Sequence, residues 1–333
     1  MKSLTQPECT HPTRYPTDLT DAEWELIKDD VLARSHIGSP RTVCTRCVVN
    51  ALLYLHKTGC QWELIPHDVP NYSTVYYHFR KWEQKGVWER LNERLRRQLR
   101  KQENRHEEPS AASVDSQSVK TTEVGGDVGF DGGKLVNGRK RHIVVDTLGL
   151  LLVVVVTAAS LPEANSAPLL GPKLQGKSSR LEKIWADGAY KEQFIEWFAA
   201  KCKIVVEIVK RREGAVGFEV LPKRWVVERT FAWLYFFRRL SKDYEYSTTV
   251  SESMIYIASI RIMLKRLTRK QDALSRTSSL LNGLLDCPKT TFPFVSVIRT
   301  EDWPLTIKLT FPEGVMVSLT MPLALMYSVN PSR

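Results

Sequence analysis

The chain is organised around residues 223–242, which read Lys-Arg-Trp-Val-Val-Glu-Arg-Thr-Phe-Ala-Trp-Leu-Tyr-Phe-Phe-Arg-Arg-Leu-Ser-Lys. The segment contains no Gly or Pro, and Pro222 directly before it suits the start of a helix. Apolar residues recur at helical spacing at Val227, Phe231 and Leu234. This stretch therefore predicts one amphipathic helix that continues to its last residue.

A single carboxylate, Glu228, stands among the basic residues of this helix. It lies four residues after Arg224, so the two side chains can meet. One interpretation is an ordinary solvated or ion-paired glutamate. The other is a catalytic group, because two predicted strands earlier in the chain each carry a lone aspartate, Asp115 and Asp187.

The region before this helix has the element order of an α/β domain. Its periodicity predicts strands over residues 113–119, 142–146, 150–157, 183–187 and 202–209, and helices over 162–174 and 190–201. The strand over 150–157 is apolar at every position but its last, which is typical of a strand buried on both faces. This order predicts a mixed sheet of the ribonuclease H-like kind.

The first 105 residues predict an all-α domain. Thr20-Asp-Ala-Glu23 is a capping box, and further helices are predicted over 41–57, 73–85 and 88–102, with Ser73 as a cap. A short helix, a Pro-containing turn and the helix 73–85 form a helix-turn-helix-like arrangement. Its basic and aromatic side chains, predicted to contact DNA, are Tyr76, Tyr77, Arg80 and Lys81. A helical bundle with a solvated basic face is the alternative.

Charge favours a polyanionic partner. The 333-residue chain has a net charge of +11, which indicates nucleic acid or an anionic membrane surface. No apolar run reaches the roughly 20 residues that span a bilayer, so we expect no membrane partner. The absence of a signal-peptide pattern and the scattered cysteines predict a cytoplasmic protein.

Residues 271–333 differ from the rest of the chain. They hold five basic and five acidic residues and six Pro, so the whole charge excess lies in 1–270. Alternation in residues 305–311 predicts a small β unit or no stable structure. The predicted domains are thus 1–105, 106–270 and an atypical tail, 271–333. The sequence of the tail indicates no function.

The three carboxylates favour metal-dependent chemistry. Groups on central strands and on a covering helix can converge, and oxygen ligands suit Mg²⁺ or Mn²⁺ rather than Zn²⁺. Two such ions about 4 Å apart activate an attacking oxygen and stabilise the leaving one, as in phosphodiester cleavage. Asp146 and Asp127 are competitors, but we predict that Asp146 is a hairpin turn residue. Asp127 falls in the Gly-rich segment 125–133, predicted to be a mobile loop.

Motifs along residues 15–270 occur in a specific order. They are Leu19-Thr-Asp-Ala-Glu-Trp24, Thr58-Gly-Cys-Gln-Trp62 through Trp82, Ser113-Val-Asp-Ser-Gln-Ser-Val-Lys120, Gly138-Arg-Lys-Arg-His-Ile-Val-Val-Asp146, Ala186-Asp-Gly-Ala-Tyr190, Arg224-Trp-Val-Val-Glu-Arg-Thr-Phe-Ala-Trp233 and Arg238-Arg-Leu-Ser-Lys-Asp-Tyr-Glu245. In this order they resemble the DDE transposases of the insertion-sequence-five family.

The resemblance implies that Asp115, Asp187 and Glu228 are the catalytic, metal-binding triad. It implies a transposase that binds double-stranded DNA at terminal inverted repeats, cuts it, and joins the freed 3′-hydroxyl to target DNA. A homodimer or higher oligomer on DNA, in the bacterial cytoplasm and at the nucleoid, is expected. The alternative is an inactive DNA-binding protein, either a decayed copy or a repressor; a ribonuclease-type hydrolase fits the fold but not the N-terminal helices.

Further DNA contacts follow from the same resemblance. Arg224 matches the family, whereas Leu221 and Tyr235 stand where the broader superfamily has a Tyr and a Lys. The side chains then expected to contact DNA, besides the helix 73–85, are Arg139, Lys140, Arg141, Arg224, Arg238, Arg239 and Lys242.

Overall fold

The computed structural model describes residues 15–32, 43–123, 125–209 and 223–285, together with strands at 294–298, 305–310 and 316–321. Residues 1–270 form one compact unit and residues 271–333 form another. Over the described ranges, no helix is both long enough and apolar enough to cross a membrane.

Five α-helices lie within the described residues 15–32 and 43–102. They are α1 (Asp21–Glu25), α2 (Lys28–Leu32), α3 (Thr45–Thr58), α4 (Tyr72–Gln84) and α5 (Val87–Gln102). The predicted capping box is confirmed, since the Thr20 hydroxyl accepts the Glu23 N–H at 3.2 Å and the Glu23 carboxylate accepts the Thr20 N–H at 2.9 Å. The prediction that Ser73 caps α4 is wrong, because the Asn71 side chain accepts the Ser73 N–H and begins the helix one residue earlier.

A mixed sheet follows, as predicted. Its strands are β1 (Ala111–Lys120), β2 (Gly129–Asp131), β3 (Val136–Asp146), β4 (Leu151–Ala158), β5 (Lys183–Ala186) and β6 (Val205–Ile208). They run in the order β2-β3-β1-β5-β6, with β4 also paired to β3. The β1–β3, β2–β3 and β3–β4 pairs are antiparallel, and the β1–β5 and β5–β6 pairs are parallel.

The segment predicted to be a mobile loop, 125–133, contains β2. Asp131 holds it to the sheet by accepting the Ser118 hydroxyl and pairing with Lys140 at 3.2 Å. Gly129 allows the close approach, because a Cβ there would lie 2.3 Å from the Ser160 hydroxyl. Periodicity could not reveal so short a strand, whose partners lie elsewhere in the chain.

Four helices cover the sheet. They are α6 (Ala167–Gln175), α7 (Glu192–Cys202), α8 (Trp225–Tyr235) and α9 (Thr248–Leu285). Helices α6 and α7 form a hydrophobic core with one face of the sheet. The N-terminal helices, α8 and α9 share a second core with the other face. Strand β4 contributes to both cores, which confirms the prediction from its apolar run.

The N-terminal helices and the sheet belong to one body. Buried Glu23 on α1 pairs with Arg261 on α9 at 2.8 Å, and His56 Nε2 on α3 bonds the Met254 carbonyl oxygen at 2.7 Å. The hydrophobic core therefore continues across the boundary predicted after residue 105.

Helix α8 is shorter than predicted. It ends at Tyr235, and a 3-10 turn follows over Arg238–Leu240. The reversal buries Phe237 and brings Arg239 to Glu245, 2.8 Å away. Tertiary contacts thus end a helix that lacks any local breaker.

The second unit contains a small β-sheet, which confirms one of the two alternatives for this tail. Strands β7 (Phe294–Ile298), β8 (Leu305–Thr310) and β9 (Met316–Met321) pair antiparallel in chain order.

Candidate active site

The register of two parallel strands sets Asp115 and Asp187 side by side. Ser113 on β1 pairs with Trp185 on β5. Counting two residues onward on each strand gives Asp115 and Asp187, on the same face of neighbouring chains that run about 4.8 Å apart. The two carboxylates therefore meet where β5 ends.

Helix α8 carries the third carboxylate to this edge. The Ser113 hydroxyl donates to the Lys223 carbonyl oxygen at 2.7 Å, which fixes the start of the helix on β1. One turn into α8, the Thr230 hydroxyl donates to the Gly149 carbonyl oxygen at 3.0 Å. Gly149 has φ +77° and touches Thr230, so a side chain there would be strained. These contacts position Glu228.

Arg224 links the two sides of the site. Its Nη2 lies 3.7 Å from Asp187 Oδ2 and 3.7 Å from Glu228 Oε1. The predicted approach of Arg224 and Glu228 is confirmed. The Glu228 side chain stays 49% exposed, and thus open to solvent and to ligands.

Asp115 has a perturbed acidity. Burial raises its pKa to about 6, and the nearby Asp187 charge acts in the same direction. The Ser116 N–H, donating to Asp115 Oδ1 at 2.7 Å, and the charges of Arg224 and Lys134 oppose this rise in pKa. A carboxyl whose pKa is raised by burial and by a neighbouring like charge is common at functional sites.

Tyr190 belongs to the same site and was not predicted. It is fully buried, and its hydroxyl has no hydrogen-bond partner among the described residues. Burial, with the charges of Asp115, Asp187 and Glu163, raises its pKa well above the usual value. A buried hydroxyl without a protein partner needs water or another ligand. Its place in the motif that ends at residue 190 was the available signal.

The donor chemistry of the site fits a hard divalent cation. Carboxylate oxygens are the ligands that Mg²⁺ prefers, and the Tyr190 hydroxyl, which has no partner among the described residues, is a further oxygen close to Asp115 and Asp187. In the described parts of the chain, however, no three His, Cys, Asp or Glu side chains lie close enough together to hold a metal. Arg224 occupies the position between Asp187 and Glu228.

A buried ionic network lies next to Asp115. Lys140 Nζ is 3.0 Å from Glu163 Oε1, which also accepts the Ser116 hydroxyl at 2.8 Å. The prediction that Lys140 contacts DNA is corrected, because its side chain is buried and paired with two carboxylates, Glu163 and Asp131. Glu163 was not predicted, since nothing in its local sequence links it to β3.

Arg139 and Arg141 need the same correction. Arg139 is 0% exposed and binds Asp243 at 3.1 Å, and Arg141 donates to the carbonyl oxygens of Leu240 and Lys242. Both side chains stabilise the segment after α8 and have no surface to offer a phosphate. Arg239 is also buried, on Glu245.

The other predicted DNA contacts remain accessible. Tyr76, Tyr77, Arg238 and Lys242 are exposed, whereas Arg80, Lys81 and Arg224 are half-buried. On α4, Val75, Phe79 and Trp82 form the buried stripe, as predicted, which turns Tyr76 and Tyr77 outward. Leu221 lies outside the described residues.

Asp146 is separate from the site. Its Oδ1 accepts the N–H groups of Leu148 and Leu150, so the predicted turn role is confirmed. Its Oδ2 also pairs with Arg100 of α5 at 2.6 Å, in full burial. Asp127, the other competitor, is exposed in the segment before β2.

Comparison with known families adds two matches. Residues 19–92 match the model described as "Putative transposase of IS4/5 family", and residues 106–263 match the "Transposase DDE domain". The second match implies a ribonuclease H-like fold, in agreement with the mixed sheet.

Two relatives come from Burkholderia cepacia. The "Putative transposase for insertion sequence element IS402" is 28% identical over 144 residues, which cover 41% of this chain and 68% of the relative. The "Insertion element IS402 uncharacterized 16.2 kDa protein" is 33% identical over 89 residues, covering 26% and 59%.

Proposed function

Because the chain belongs to the DDE transposases of insertion sequences, we propose that it binds terminal inverted repeats, cuts the DNA there by hydrolysis and joins the freed 3′-hydroxyl to target DNA. One observation carries the proposal. The β1–β5 register puts Asp115 beside Asp187, and Arg224 links Asp187 to Glu228. Carboxylates at a DNA surface repel phosphates unless a cation accompanies them, so a protein that only binds DNA would gain nothing from them.

The DDE transposase domain implies dependence on a divalent metal. We assign its ligands to Asp115, Asp187 and Glu228. Two Mg²⁺ or Mn²⁺ ions, when bound, supply an activated attacking oxygen and stabilisation of the leaving oxygen.

Residues around the triad bind and orient the DNA. Arg224 keeps 13% of its side chain exposed beside Asp187 and Glu228, so its guanidinium can pair with a phosphate oxygen there. The Tyr190 hydroxyl can donate to a water or a carboxylate of the site. The core beneath Asp115 limits the entry of further water.

The N-terminal helices supply the main DNA contacts in this proposal. Tyr76 and Tyr77 are exposed on α4, and Lys81 Nζ lies 5.7 Å from the Tyr77 ring centroid. Arg238 and Lys242 extend a basic surface from α8. A homodimer or higher oligomer would hold two element ends together, in the bacterial cytoplasm at the nucleoid.

An inactive DNA-binding protein is the second candidate. The observation in its favour is that no three metal-ligating side chains lie together over the described ranges. In that case the protein binds repeat DNA but does not cut it.

Cleavage of duplex DNA that carries the element ends tests the proposal. With Mg²⁺, the full chain should nick this DNA, whereas Asp115→Asn, Asp187→Asn and Glu228→Gln should each abolish nicking and leave DNA binding nearly unchanged. Glu182→Gln, at an exposed carboxylate outside the site, is the matched control. Asp115→Asn should keep or raise the stability of the metal-free protein, because it removes a charge that burial and the neighbouring Asp187 disfavour. Nicking by Glu228→Gln, or none by the unaltered chain, contradicts the proposal.

A further inference from the structure

A cavity lies outside the triad, between α3, the end of α8 and α9. Its volume is about 650 Å³, within the range of small-ligand sites. Leu53, Phe237 and Ile262 form an apolar floor, and no Asp or Glu among the described residues lines it. The apolar floor and the lack of acidic residues in the lining distinguish this cavity from the carboxylate site.

Aromatic rings at this cavity face solvent. Phe236 lines it with 66% of its surface exposed, and Tyr235 beside it is 59% exposed. Trp233, also in the lining, has the Arg229 guanidinium 4.6 Å and the Arg266 guanidinium 5.9 Å from its ring centroid. The Arg229 guanidinium also lies 4.3 Å from the Trp225 ring centroid. An exposed stripe of rings and a cation therefore runs along α8 to the cavity.

Cations surround the opening. Lys57, Arg261, Lys265, Arg266 and Arg269 all line it. Buried Glu23 already pairs with Arg261 and Lys265. Lys57 donates to the Phe236 carbonyl oxygen and lies over the Phe236 and Phe237 rings. Arg266 pairs with Glu103 at 4.0 Å but keeps a buried Nη1 without a hydrogen-bond partner in the described chain. Arg269 is exposed and has no ion pair among the described residues. Positive charge thus remains to bind an anion.

The combination defines the ligand class. The exposed Phe236 ring can stack on a flat apolar group, and Lys57 and Arg269 can hold an anion next to it. A nucleotide combines these two features. Paired bases in a duplex stack on each other, so only an unpaired base can offer its face to these rings. We propose that this cavity binds an unpaired nucleotide of a single DNA strand, which rests on the proposed function for the supply of such a strand.

The position along α8 fits this role. Phe236 lies eight residues after Glu228, which is about 12 Å along the helix. At the spacing of a strand in duplex DNA, about 3.4 Å per nucleotide, that distance corresponds to about four nucleotides, and an extended single strand covers it in fewer. A strand that leaves the carboxylates can therefore follow the stripe of Trp225, Arg229 and Trp233 into the cavity.

Fluorescence anisotropy with labelled oligonucleotides tests this inference. The full chain, in EDTA to prevent cleavage, is titrated with a 12-mer single strand, an abasic strand of equal length and a duplex. Phe236→Ala should weaken binding of the single strand by about fivefold to a hundredfold, the range for losing one stacked base. The abasic strand should already bind more weakly and should lose little more. Tyr246→Ala, at an exposed ring outside the cavity, should change nothing.

The contribution of the cavity's positive charge to binding is tested by the same anisotropy titrations. Arg269→Gln should weaken all three ligands modestly and lower the salt dependence, whereas Arg180→Gln, an exposed arginine outside the lining, should not. Equal losses for single strand and duplex on Phe236→Ala, or equal binding of abasic and normal strands, overturn the inference and leave an anion site only. If the unaltered chain cuts element ends while Phe236→Ala binds normally, this inference fails and the proposed function stands. If the unaltered chain does not cut element ends while Phe236→Ala loses binding of the single strand, the proposed function fails and the binding of an unpaired nucleotide stands.

Discussion

Removing the charge of Asp146 should lower the free energy of unfolding of the protein without affecting DNA cleavage. Its carboxylate and the Arg100 guanidinium are 2.6 Å apart, with side chains 0% and 6% exposed. Asp146→Asn keeps an oxygen for the Leu148 and Leu150 N–H groups but leaves the Arg100 charge buried and uncompensated. Breaking such a pair on one side costs about 3–5 kcal/mol.

The expected loss is large enough to measure directly. For a cooperative unit of this size, about 3–5 kcal/mol lowers Tm by roughly 6–20 °C. Urea unfolding followed by tryptophan fluorescence, together with thermal melts, gives both quantities. Replacing both partners, Arg100→Gln with Asp146→Asn, should recover part of the stability, because no unpaired charge remains.

Activity provides the second readout. Well below its Tm, Asp146→Asn should still nick element-end DNA, because Asp146 lies outside the triad. A loss of free energy of unfolding below about 1 kcal/mol would refute the account of the buried pair. A folded but inactive Asp146→Asn would contradict the assignment of the triad.

Three other predictions concern separate parts of the chain. Burial lowers the pKa of His56 to about 3, against about 6.5 in the unfolded chain, so its contribution to stability is complete above pH 6.5 and is lost as pH falls toward 3. Between pH 6.5 and 5, the free energy of unfolding measured with urea should drop by about 2 kcal/mol more in the unaltered chain than in His56→Gln. Equal pH dependence of the two proteins would exclude this role for His56. Tyr77→Ala and Lys81→Gln should weaken duplex binding, and Lys81→Gln should reduce the slope of log affinity against log salt by about 1 per lost phosphate contact, whereas an unchanged slope would remove Lys81 from the interface. Deletion of 271–333 should leave cleavage intact, since the compact unit ends at Lys270, and loss of cleavage in a protein with an unchanged melt would contradict this.

Local periodicity predicted the elements that carry Asp115, Asp187 and Glu228. It succeeded for α8 because that helix buries one stripe, which leaves a regular pattern in the sequence, and for β5 because Ile184, Trp185 and Ala186 form a short apolar run. The length of α8 was not predictable in this way, because the contacts of Arg239 and Phe237 end it.

Charge patterns were a poorer guide to the surface. Arg139, Lys140 and Arg141 look like a basic patch, yet each is neutralised or bonded inside the fold. Their partners, such as Asp243 and Glu163, are distant in the chain, so no local pattern reveals the pairing. Tyr190 was missed although it ends the motif over residues 186–190, because that motif does not show that the hydroxyl is buried beside two carboxylates.

The single hydrophobic core that joins the N-terminal helices to the sheet fixes the distance between α4 and the carboxylates. Val75, Phe79 and Trp82 of α4 belong to the same hydrophobic cluster as Ile143 and Val145 of β3. A DNA segment bound on the outer side of α4 would therefore meet the carboxylates at a distance fixed by side-chain packing and not by a tether. The number of base pairs between recognised sequence and cut should be constant, and lengthening the segment between α5 and β1 should not change it.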